Sequence, residues 1–230
     1  MMKILRLLAS FLILFSLSTT LFAVTLKPGD LLFQDLECGP LCNAIFSVTH
    51  GYQNTNVSHV GMVVSIKPKV LVIEAINTDV HLIPLKKFLA RSLDKDKKPR
   101  VMVGRLNKSY QHLIPTAIKD AKSWLGKPYN NDYTPNNHNK EFYCSQLIYD
   151  AFEKANQNKP IFTQDKMNFH DFKTHHTFPS WKAYFKSIKK DVPQGKLGTN
   201  PGKMSRSPHL KIIHFYGKLQ KNTLSQALQK

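Results

Sequence analysis

The sequence predicts an α+β fold in which an antiparallel sheet packs against helices, and three observations predict it. Short β-like runs fill the first half of the chain, two segments with helical spacing follow, and the second of these opens on a cysteine. The order of elements, strands first and helices later, is that of an α+β fold rather than an alternating one.

The β-like runs cover residues 29–33, 58–64, 70–75 and 101–106, each short and rich in Val, Ile, Leu or Phe. Between the last two, residues 85–93 read as a short helix leading into a charged loop at 94–100. Residues 114–125 carry Ile114, Ala117, Ile118, Ala121 and Leu125 at helical spacing, and Gly126 and Pro128 stop them. A polar loop at 130–141 leads to 144–155, where Leu147, Ile148, Ala151, Phe152 and Ala155 share one face. Beyond Ala155 the pattern weakens to a short helix at 181–188, a Gly/Pro/Ser loop at 193–208 and a last strand at 211–216. Gly198-Thr199-Asn200-Pro201-Gly202-Lys203 resembles a phosphate cradle, but it lacks the Gly-Lys-Ser/Thr ending and a strand leading into it.

The chain starts with Lys3 and Arg6, runs through an apolar stretch at 7–15, and reaches Ala23 after a small polar patch. This is the pattern of a secretory signal cleaved after Ala23, with export to the periplasm or the medium. The remaining residues 24–230 fit one domain. The formal net charge of +18 falls to +16 without Lys3 and Arg6. Outside the cytoplasm, that balance favours anionic partners such as membrane headgroups or acidic envelope polymers. No nucleic-acid-reading motif accompanies the lysines.

Cys144 stands where unpaired backbone N–H groups and the helix dipole favour a thiolate. The alternative is a small buried apolar residue. His59 lies near the start of the 58–64 strand, after a polar, turn-rich stretch, and alternation places it with Gly61 and Val63. The bare Gly61 suggests room beside the imidazole for another group or a ligand, although a hydrogen-bonded histidine at a strand end fits equally. If 58–64 and 70–75 form a hairpin turning at Ile66-Lys67, His59 lies opposite Glu74, which could then orient the imidazole. A one-residue slip would remove that pairing. Cys38 and Cys42, in an exported chain, are disulfide candidates, and two thiols with no further Cys or His at ligand spacing do not make a metal site. Their pairing would leave Cys144 as the unpaired thiol. His175, His176, His209 and His214 read as surface residues.

The segments Gly29-Asp30-Leu31-Leu32-Phe33-Gln34-Asp35, Ser58-His59-Val60-Gly61, Val72-Ile73-Glu74-Ala75, Gly126-Lys127-Pro128-Tyr129 and Tyr143-Cys144-Ser145-Gln146-Leu147-Ile148-Tyr149 together resemble the YiiX-like branch of the permuted NlpC-type cysteine hydrolases, within the papain-like superfamily. The resemblance implies a permuted papain-like fold: a barrel-like antiparallel sheet carrying the histidine, packed on a helix whose first turn carries the cysteine. It implies Cys144 as nucleophile, His59 as base and Glu74 as third member. Tyr129, Asp35 and Tyr143 are the implied substrate contacts. Gln146 departs from the glutamate more usual at its place.

The expected activity is therefore cysteine-dependent hydrolysis of an amide or ester, on an envelope peptide or a lipid-like acyl group, with no cofactor. A lipid acyltransferase of the same fold and a non-catalytic envelope-binding protein are the alternatives. Oligomeric state is not legible in the sequence.

Overall fold

A computed structural model of the chain describes residues 24–134 and 139–223, and the expected leader lies outside the described residues. In order, the elements are β1 (Leu31–Gln34), α1 (Pro40–Val48), β2 (His59–Ser65), β3 (Leu71–Ile76), β4 (Asp79–Pro84), α2 (Leu85–Leu89) and β5 (Val101–Leu106). Then follow α3 (Ile114–Ser123), α4 (Cys144–Ala155), β6 (Asp165–Lys166), α5 (Pro179–Ser187), β7 (Leu197–Gly198), α6 (Pro201–Ser205) and β8 (Leu210–Phe215). Six strands form one antiparallel sheet in the order β4-β3-β2-β1-β5-β8, and β6 pairs with β7 in a separate ribbon.

The sheet is central because both of its faces are covered. Leu31, Phe33, Val60, Met62, Ile73 and Ala75 project into a core shared with α3 and α4, which contribute Ala117, Ala121, Leu147, Ile148 and Phe152. Leu32, Val63, Val72, Val101 and Val103 project the other way onto Phe88 of α2. This double burial is why β2 reads as a continuous apolar run rather than an alternating one. A third cluster, Ala44, Phe169, Trp181 and Phe185, joins α1 to α5 at one side.

Hairpin β2–β3 is antiparallel as expected, but in a different register. Met62 pairs with Ile73 and Val63 with Val72, with a bulge before Ser65↔Leu71. Carried along the strands, this sets Gly61, not His59, opposite Glu74. The connection runs over residues 66–70 and includes Pro68, so it is longer than the Ile66-Lys67 turn, and the pairing is displaced by two residues. An even displacement leaves His59 and Glu74 on the same face.

Other departures have local causes. The helix expected at 85–93 stops at Leu89. Residues 40–48, read only as disulfide surroundings, form α1 with Pro40 in its first turn. The loop at 193–208 holds β7 and α6, the latter capped by the Asn200 side chain, which accepts from Lys203 N. Residues 79–84 add the edge strand β4, paired along its whole length with β3.

Candidate active site

Helix α4 begins at Cys144 because the chain enters it extended at Tyr143 and the first intrahelical hydrogen bond closes from Leu147 N to Tyr143 O at 3.0 Å. The N–H groups before Leu147 therefore have no acceptor within the helix. The segment ahead of the cysteine is fixed on both sides. Asn130 N donates to Phe142 O and Phe142 N to Pro128 O, while Tyr129 N donates to Thr78 O at the β3–β4 turn. Gly126 makes this path possible: it leaves α3 with φ +78°, a backbone conformation unfavourable for other residues. Tyr129 is thereby brought beside Tyr143 and Cys144.

His59 comes from the first residue of β2, paired with Gln34 of β1. Its Nε2 lies 2.7 Å from Glu74 Oε2. With Nε2 engaged by Glu74, the ring also interacts with the Cys144 side chain. His59 is 3% exposed and Glu74 wholly buried. Glu74 Oε2 also accepts from Arg91 Nη2 at 2.5 Å, and His81 Nε2 lies 3.3 Å from Oε1 without hydrogen-bond alignment. The Arg91 guanidinium stacks on Phe88 at 4.7 Å, and the Phe88 and His59 ring centroids are 5.9 Å apart.

Burial pushes the His59 imidazole toward the neutral form, but hydrogen bonds and charge interactions with Cys144 and Glu74 outweigh it and lift its pKa to about 9. Burial likewise opposes ionisation of Glu74, yet His59 and Arg91 hold its carboxyl below the usual value. The result is an imidazolium held against the Glu74 carboxylate at neutral pH.

Cys144 and Ser145 lie in the wall of a cavity of about 460 Å³, within the range of small-molecule sites. Its other walls come from distant segments: Ile45 and Val48 of α1, Tyr129 and Tyr133, Met167, Phe169 and Phe172, Trp181 of α5, and Thr199 to Pro201. The 198–201 wall is tied to α4. Thr199 N donates to the Tyr143 hydroxyl at 3.0 Å, and Thr199 Oγ1 donates to Ser145 Oγ at 2.9 Å. Desolvation raises the Tyr129 and Tyr133 phenols, so the rings facing the thiol stay neutral.

The structure therefore brings Cys144, His59 and Glu74 together and sets Tyr129 and Tyr143 in the cavity wall. Asp35 is a correction. It is wholly buried and does not line the cavity; its Oδ2 accepts from Gln220 N at 3.0 Å and its carbonyl accepts from Ser92 Oγ. The room expected beside Gly61 is a second correction. A Cβ there would lie 2.6 Å from Val72 Cγ1 and 3.0 Å from Phe88 Cε2, so apolar side chains fill the space. Cys38 and Cys42 are joined by a disulfide at the start of α1. Sequence reasoning missed the α1 wall, although Leu41, Ile45 and Val48 at spacings of four and three after Gly39-Pro40 were a helical signal. It missed Trp181 and Thr199 because only tertiary packing brings them to the cysteine.

The comparisons agree with this architecture. A search of curated proteins finds no match. A solved structure described as metalloprotein yiiX from Escherichia coli O157:H7 superposes with a TM-score of 0.64 at 24% identity, covering 82% of this chain and 97% of that one. That similarity speaks for the fold. Among the described residues here, no three His, Cys, Asp or Glu side chains converge as a metal site. A family model described as permuted papain-like amidase enzyme, YaeF/YiiX, matches residues 25–214. The chain is thus a member of the permuted papain-like amidase family, a family of cysteine hydrolases.

Proposed function

We propose that Cys144, His59 and Glu74 act as nucleophile, base and orienting carboxylate in the hydrolysis of an amide or ester, and that the protein works outside the cytoplasm. The observation that carries this reading is the position of His59, hydrogen-bonded to Glu74 and interacting with the Cys144 side chain, which raises its pKa. The cysteine attacks the carbonyl carbon, and the developing oxyanion meets N–H groups at the start of α4. The His59 imidazolium gives its proton to the departing amine or alcohol. Neutral His59 then takes a proton from water, which attacks the thioester and releases the acid and Cys144. Glu74 holds the ring in the tautomer that both steps need.

The walls favour an uncharged, apolar acyl or peptide group. Of the described lining side chains only Asp165 and Lys166 are charged, and Asp165 is paired with Lys203. The leader-like start and the Cys38–Cys42 pair support export. The test is to incubate wild-type protein and Cys144→Ala with envelope extract and compare products by mass spectrometry. New free acids or peptides with wild type only are expected. Acyl groups moved to new acceptors would mean a transferase, and identical profiles would mean binding without chemistry.

A further inference from the structure

Much of the cavity wall comes from a strongly basic stretch of the chain. Residues 154–230 hold 15 of the 33 Lys and Arg but only 3 of the 15 Asp and Glu. From this stretch come β6, α5 and β7, and each contributes to the cavity wall. At the mouth, β6 and β7 set Lys166 against Leu197, and Met167 N donates to the Lys196 carbonyl at 2.8 Å. Lys166 and Phe172 both line the cavity and are both exposed, and Lys173 follows Phe172.

Phe172 and Leu197 are 48% and 51% exposed, more than any other large apolar residue among those described. Lys166, Lys173 and Lys196 form no ion pair among the described residues. The nearby acids are engaged: Asp165 pairs with Lys203, and Asp171 accepts from the backbone N–H groups of Lys173 and Thr174.

Large apolar side chains interleaved with lysines suit a lipid headgroup boundary, where the rings and alkyl groups leave water while the ammonium groups meet acidic headgroups. A soluble polyanion would engage the lysines but leave Phe172 and Leu197 without a role. We propose that this rim docks on an anionic lipid bilayer, Phe172 and Leu197 entering it and Lys166, Lys173 and Lys196 holding its headgroups, so that the cavity mouth opens at the membrane. The docking does not depend on the chemistry proposed for Cys144.

Vesicle sedimentation of the chain from Val24, which holds every described element, tests it. Partition onto phosphatidylcholine vesicles containing phosphatidylglycerol is expected to exceed that onto phosphatidylcholine alone and to fall with salt. Replacing Phe172 and Leu197 together by Ser should lower it about tenfold or more, and each of Lys166→Glu and Lys196→Glu by at least about fivefold. Leu125→Ser, an exposed apolar control on another element, should leave it unchanged. Absence of binding to the anionic vesicles overturns the proposal. So does binding that salt abolishes but the Phe172 and Leu197 pair does not affect, which is how a polyanion-binding surface behaves. Circular dichroism of each variant confirms folding.

Discussion

Glu74 reaches His59 diagonally across β2 and β3: the register sets Gly61 opposite Glu74, yet Nε2 and Oε2 are 2.7 Å apart. Between them on this face stands Gly61, where a Cβ would meet Val72 Cγ1 and Phe88 Cε2.

Replacing Glu74 by Gln should therefore leave the fold in place while removing the charge that holds the imidazolium. Turnover is expected to fall about 10²-fold or more with little change in KM, and the His59 titration seen by NMR should move down from about 9. Stability carries the same signature. A histidine raised above its ordinary 6.5 contributes stability that is fully present below that value and lost as pH rises through about 9. Wild type should lose that increment between these limits in thermal unfolding, and Glu74→Gln should show a flatter curve there.

Arg91 shares Oε2 with His59, so its guanidinium offsets part of the carboxylate's pull on the imidazole. Arg91→Met should raise the His59 pKa and shift the alkaline limb of the pH–rate profile upward. A structural role alone would change the amplitude and leave the limb in place. Loss of one partner from this largely buried pair should also cost about 2 kcal/mol, read from urea unfolding.

The strand pattern, the cysteine helix and the face shared by His59 and Glu74 were legible because each is written in local periodicity. Helix α4 matches its expected bounds, 144–155. The register was misjudged because the turn was assumed minimal, and Asp35 because proximity to a strand end does not reveal which way the chain bends. The cavity was illegible for a different reason. Its walls come from α1, the 165–172 segment, α5 and the 198–201 wall, which meet only after the core has folded.

Asp35 offers a test of its corrected role. Burial raises its pKa to about 6, against hydrogen bonding from Gln220 N and the Arg100 charge. The folded chain thus favours the protonated carboxyl, a contribution present below the ordinary 3.8 and lost as pH rises through about 6. Asp35→Asn keeps an acceptor for Gln220 N and removes the charge. It should stabilise the protein at pH 7 to 8, by about 3 kcal/mol at most, and do little at pH 4. Equal thermal stability of the two proteins at pH 8 would contradict this.

The Cys38–Cys42 disulfide closes a five-residue loop at the start of α1. Loop-closure entropy for so short a ring gives about 2 kcal/mol, so Cys38→Ser with Cys42→Ser should lower the melting temperature by several degrees. The larger effect should be local. Val48 and Ile45 of the same helix line the cavity, and loosening that wall should raise KM for a bulky acyl ester while leaving an acetyl ester nearly untouched. Comparing the two esters separates a wall effect from global unfolding, which would reduce both alike.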